Sequence, residues 1–263
     1  AIILIAVAAF HALRFRSLRA RRRAEEQARL PVGPDGIVPG AQSIELRGSA
    51  THAALLIHGF GDTPQTLRGL AVHLNSQHGW TVRAPLLPGH GRGLAAFDAT
   101  RGDLWVAAMQ HEYDELRTQH STVVLVGLSM GGAIATLLAA RHADLPALVL
   151  LAPFLTPPAR AEQLAPLSTL LALIVPYLKG GDRTASIFDP EARARSLGVG
   201  AVSPRLIRDL VVVAHDARVA AADVQAPTLL LHSSTDYRIP VEQAERHAKF
   251  FSSVTTCEQR WVH

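Results

Sequence analysis

Val123-Val124-Leu125-Val126-Gly127-Leu128-Ser129-Met130-Gly131-Gly132 is the stretch whose reading decides the architecture. A β-branched apolar run ends in Gly-x-Ser-x-Gly. A run of small and apolar residues at helical length, Ala133 to Ala140, follows directly. Strand, sharp turn and helix are therefore expected in succession, with one serine at the apex. Gly127 and Gly131 leave room where the two backbones crowd in so tight a turn. The helix N-terminus beneath Ser129 favours negative charge that develops there.

Other strands and helices are predicted to alternate around this turn. Upstream, the apolar run at 53–57 reads as a buried strand and 80–84 as the next strand. Helical spacing covers 64–75 and 103–119. Downstream, 147–152 and 226–232 resume the strand series, 241–251 reads as a helix and 258–262 as a last strand. Such alternation argues an α/β fold, a mostly parallel sheet with helices on both faces. The chemistry is then expected along the carboxyl edge of the strands. Residues 154–224 carry two helical patterns and no strand signal. Pro166 and Pro176 are expected to break the first of those patterns.

Ser129 needs a base to take its proton and a carboxylate to orient that base. In this motif class the chain order is serine, then acid, then histidine. Asp236 lies just past the strand at 226–232, in a short turn, where an acid can reach the same edge. The oxyanion hole requires two backbone donors. The amide of Met130 is one. The amide of Phe60 is the other, in His58-Gly59-Phe60-Gly61 after the first buried strand. For the base, His247 falls inside a predicted helix and reads as a surface residue, which leaves His263. A second reading places the true base beyond His263, in chain that follows the last strand.

Four motifs stand in order: His58-Gly59-Phe60-Gly61, Leu87-Pro88-Gly89-His90-Gly91, Gly127-Leu128-Ser129-Met130-Gly131-Gly132 and His232-Ser233-Ser234-Thr235-Asp236. Together they resemble the α/β-hydrolase superfamily, of the serine carboxylesterase and monoacylglycerol lipase type, over about residues 45–262. The resemblance implies cleavage of carboxylic esters through an acyl-enzyme. It also implies that the catalytic histidine follows Trp261 by several residues, and it implies no cofactor and no metal. Two alternatives accompany the esterase reading. One is a monoacylglycerol lipase or lysophospholipase acting on membrane lipids. The other is a non-catalytic hydrolase-fold binding protein.

Composition narrows the classes further. The chain has 263 residues, 48% hydrophobic and 18% charged, which suits one large domain with a sizeable core. Cys257 is the only cysteine, so an internal disulfide and a cysteine-ligated zinc are excluded. The net charge of +4 is concentrated in one place. Arg14, Arg16, Arg19, Arg21, Arg22, Arg23 and Arg29 crowd residues 11–30, against Glu25 and Glu26 alone. The remainder is near neutral and has no nucleic-acid footprint.

The apolar residues 1–13 precede that arginine cluster. Residues 1–30 are accordingly expected to be the remnant of a membrane anchor with a basic juxtamembrane segment. On that reading the catalytic domain sits on the cytoplasmic side, with a soluble cytoplasmic protein as the alternative. Residues 31–42, rich in proline and glycine, read as a linker, and 43–263 as the hydrolase domain with its cap at about 154–224.

Overall fold

A computed structural model describes residues 2–180, 187, 189–236, 238–254 and 256–262, with side chains in the first helix from residue 7 onward. The helices are α1 (Ile2–Arg29), α2 (Arg68–His78), α3 (Gly93–Ala99), α4 (Gly102–Gln119), α5 (Met130–Ala139), α6 (Ala159–Leu164), α7 (Ser168–Ile174), α8 (Pro190–Arg195), α9 (Pro204–Ala220) and α10 (Val241–Ala244). The strands are β1 (Ile44–Leu46), β2 (His52–Ile57), β3 (Thr81–Ala84), β4 (Thr122–Leu128), β5 (Leu148–Leu151), β6 (Leu178–Lys179), β7 (Ala201–Val202), β8 (Thr228–Ser233) and β9 (Cys257–Val262).

Seven strands form one sheet in the order β1-β3-β2-β4-β5-β8-β9. Only β1 is antiparallel to its neighbour. The mostly parallel sheet is the one that the strand–helix alternation predicts, and with the helical insertion between β5 and β8 it has the α/β-hydrolase architecture that the four-motif resemblance implies. β2 and β4 are central and read as near-continuous apolar runs because both faces are covered. One face carries a large cluster built on Leu55, Trp105, Met109, Leu125, Ile134 and Leu150. The opposite face carries a smaller cluster with Ala54, Leu56, Leu67 and Val82. β4 thus lies in the middle of the core, and its carboxyl end delivers Ser129 to the edge where β5 and β8 also end.

The insertion is helical as expected, with local differences. α6 stops before a 3₁₀ turn at Ala165–Leu167, α7 resumes, and it ends before Pro176. Each break falls where a proline removes a donor. Two antiparallel strands, β6 and β7, are too short to show a periodic signal; they pair with each other, and Ala201 is buried in the large core cluster. The helix predicted over 241–251 is only α10 followed by a 3₁₀ turn at His247–Phe250. α3 forms in a stretch too short to show helical periodicity.

The N-terminal segment requires a correction. Residues 2–29 are one continuous helix, and among the described residues no helix is long and apolar enough to cross a membrane. The apolar start amounts to ~20 Å of helix against a ~30 Å hydrocarbon core, and Arg14 and Arg16 follow it at once. Three of the arginines reach the body of the protein. Arg19 pairs with Asp98 at 2.6 Å, Arg23 donates to the Tyr177 hydroxyl at 2.9 Å, and Arg29 donates to the Gly198 carbonyl at 2.7 Å. The membrane partner and the membrane-anchored location are therefore withdrawn.

Candidate active site

The elbow is built from backbone before any side chain acts. Ser129 has φ 53° and ψ −115°, a conformation that costs of order 1–3 kcal/mol for a residue with a Cβ. Four hydrogen bonds hold it there. Its N–H donates to the Leu151 carbonyl at 2.9 Å, and its carbonyl accepts from Gly132 (2.9 Å), Ala133 (3.2 Å) and Phe154 (3.0 Å). The glycines are required by crowding. A Cβ on Gly127 would run into the Gly131 backbone, and one on Gly131 into the carbonyl of Ile57. Ser129 remains partly exposed at the head of α5, while Met130 behind it is fully buried.

The loop after β2 lies directly against the serine. A Cβ placed on Gly59 would stand 3.5 Å from the Ser129 Cβ. The Asp62 N–H donates to the Gly59 carbonyl at 3.3 Å, closing a turn with Phe60 inside it. Met130, as the first residue of α5, has an amide without an intrahelical acceptor. Phe60 and Met130 thus flank Ser129 from two separate elements.

Two histidines brace this loop. His58 Nδ1 lies 2.9 Å from the Gly59 carbonyl, and the Leu87 N–H donates to His58 Nε2 at 3.1 Å. Those two partners demand a neutral ring with its proton on Nδ1. Burial drives the His58 pKa down to about 4. His90, also fully buried, packs 5.1 Å from the His58 ring and between Phe97 and Trp105. Burial and the neighbouring His58 hold it well below the usual imidazole range. Both nitrogens of His58 are thus engaged by backbone groups, and His90 Nδ1 lies 3.1 Å from the Pro88 carbonyl.

On the acid side, β4, β5 and β8 run parallel in register, Leu128 beside Leu151 and Leu151 beside Leu231. Two strand spacings of ~4.8 Å therefore separate the β4 end from the β8 end. Asp236 occupies the turn after β8, half-buried, and its Oδ1 accepts from the N–H groups of Arg238 (2.7 Å) and Ile239 (3.2 Å). The rings of His232, at the end of β8, and His247 pack against each other at a tilt, with centroids 5.1 Å apart. His247 is fully buried and 3.1 Å from the Thr156 hydroxyl. It is a core residue of the turn after α10, not the surface residue its predicted helix suggested. Burial and the adjacent His232 push its pKa down to about 3. Burial lowers the His232 pKa as well, against a raising contribution from Asp236.

His263 lies outside the described residues. The path leading to it is described. β9 pairs with β8 so that Val262 stands opposite Ser233, and the Ser234 N–H donates to the Val262 carbonyl at 3.1 Å. The described end of β9 therefore lies beside the turn that carries Asp236.

The buried histidines make an acid-stability prediction. An unfolded histidine titrates near 6.5. His58 and His247 stay neutral in the fold to about 4 and about 3. Between pH 6.5 and 4 the unfolded chain binds protons that the native chain refuses, so stability falls as pH falls through that window. For His58 alone the effect approaches about 3 kcal/mol at its limit. Thermal melts should show a steady loss between pH 7 and pH 5, reduced by His247→Gln. A flat profile over that range contradicts the assignment.

Residues 48–262 match the family model described as serine aminopeptidase, S33. The chain belongs to that family. Among curated relatives of this S33 member is the thermostable monoacylglycerol lipase of Bacillus sp. (strain H-257), 38% identical over 91 residues. That match spans 35% of the chain and 36% of the lipase, so it covers about a third of the relative's length. Two solved structures share the fold. One is a metagenome-derived lipolytic enzyme, 24% identical with a TM-score of 0.75, covering 86% of this chain and 89% of the other. The second is the monoacylglycerol lipase of Paleococcus ferrophilus, 22% identical with a TM-score of 0.68, covering 83% and 88%.

Proposed function

We propose that this S33-family chain is a serine hydrolase of carboxylic esters, and that its substrates are lipid-derived esters of the monoacylglycerol class. The observation that carries the reading is the strained, partly exposed Ser129 between the Phe60 loop and the Met130 amide. Ser129 Oγ attacks the ester carbonyl, and the two amides stabilise the oxyanion of the tetrahedral intermediate. A histidine in the chain leaving β9, His263 or a residue after it, takes the serine proton and returns it to the leaving alcohol. Asp236 orients that imidazole and stabilises its charged form. Water then releases the acid by the same steps in reverse. The proposed steps use a serine, a histidine, a carboxylate and two backbone amides.

The choice of lipid-derived esters over short ones rests on similarity to monoacylglycerol lipases, together with a cap rich in leucine. A p-nitrophenyl ester series tests it. Activity should rise from two carbons toward eight or more, and 1-monoacylglycerol should be cleaved. A maximum at two to four carbons would favour the short-chain carboxylesterase. Preferential turnover of aminoacyl-p-nitroanilides would replace both with the peptide chemistry that the family description names.

A further inference from the structure

We propose that α1 is a strap that holds the oxyanion loop in place, with Glu26 and Arg29 as its positioning residues. The proposal rests on the ester-hydrolase reading for its kinetic consequence, but not for its structural one. Three consecutive residues of the cap are engaged alternately by α1 and by the oxyanion loop. The Gly198 carbonyl accepts from Arg29 at 2.7 Å, the Val199 N–H donates to the Gly61 carbonyl at 2.7 Å, and the Gly200 N–H donates to Glu26 Oε1 at 3.2 Å. Arg29 also pairs with Glu26 at 2.6 Å, closing the clamp. The anchored Gly61 carbonyl lies two peptide units beyond the Phe60 N–H, so holding it narrows the loop conformations open to that amide. Glycine at 200 leaves room for the Glu26 side chain at this point. A Cβ on Gly200 would collide with the Glu26 carboxylate.

A second route runs from the middle of α1 to the same loop. Asp98 receives Arg19 at 2.6 Å, Arg23 at 3.6 Å and the Tyr177 hydroxyl at 3.2 Å, and its carbonyl accepts from Arg205. The side chain of Asp98 is only 10% exposed, so these pairs are less screened than surface ones. The neighbouring residue, Phe97, sets its ring 5.2 Å from that of Phe60. α1 therefore reaches Phe60 through the backbone at Gly61 and through the ring at Phe97. This gives the arginine-rich stretch a role that composition alone did not reveal. A hydrogen-bond donor aimed at a developing oxyanion is sensitive to displacement on the scale of ~1 Å, so slack in the strap is expressed in the chemical step.

The test compares the full chain with Glu26→Ala/Arg29→Ala, with Glu26→Gln, and with an Arg21→Ala/Arg22→Ala control. Those control arginines are surface residues that pair with Glu25. For p-nitrophenyl butyrate the Glu26/Arg29 double variant should lose on the order of tenfold in kcat with KM within about twofold. A trifluoromethyl ketone, which forms a tetrahedral adduct on the serine, should bind more weakly by the same factor. Glu26→Gln, which keeps an acceptor for Gly200, should recover most of the rate, and the control should match the parent. Amide hydrogen exchange at residues 59–62 should accelerate in the double variant alone. Unchanged kcat and unchanged exchange in the double variant, whatever its melting temperature, overturn the strap. If the parent cleaves no ester, the exchange result still decides the strap, and the failure belongs to the proposed reaction.

Discussion

Replacing Ser129 by alanine is expected to reduce ester hydrolysis on the order of 10⁵-fold or more, leaving only what the oxyanion hole and binding supply without a nucleophile. The fold should not suffer. The Ser129 side chain caps nothing in α5, and the elbow is held by four backbone hydrogen bonds that alanine retains. Melting should therefore move by no more than about 1 kcal/mol in equivalent stability. Glycine at the same position sharpens the test. It relieves the strain of φ 53° and should raise stability while abolishing activity just as fully. A Ser129→Gly protein that is both inactive and more stable would be the signature of a backbone strained for catalysis. Measurable steady-state turnover in Ser129→Ala would place the nucleophile elsewhere.

The second large effect is expected at Asp236. Asp236→Asn should lower kcat on the order of 10⁴-fold, because an amide cannot stabilise the imidazolium and orients the wrong tautomer. The substitution separates chemistry from structure. Asn keeps the Oδ1 acceptor that holds the N–H groups of Arg238 and Ile239, so the turn after β8 should persist. Steady-state kinetics beside a melting curve give both numbers. A loss of less than about tenfold in kcat would mean that another carboxylate orients the base.

Much of this was legible because the relevant signals are local. The elbow motif announces itself through flanking runs of opposite period, and β2, β4, β5 and β8 are apolar enough to be seen singly. Turn residues after those strands marked Phe60 and Asp236. Other features depend on partners distant in sequence. Nothing around His247 says that it is buried, since its burial comes from packing against His232 and contact with Thr156. The two-residue strands β6 and β7 exist only as a pair. The arginine cluster misled for the same reason. Seven arginines after an apolar run look like a juxtamembrane segment, and only the fold reveals Asp98, Tyr177 and Gly198 as partners. Composition reports how much charge a segment carries and is silent on what faces it.

Ser129 as an activated nucleophile is the claim on which the remaining site assignments depend. It is tested most directly by treating the full chain with a fluorophosphonate and mapping the adduct by peptide mass spectrometry. The account predicts one stoichiometric adduct, located on Ser129, lost in Ser129→Ala and strongly slowed in Asp236→Asn. No adduct on the folded protein, or an adduct on any other residue, would contradict it.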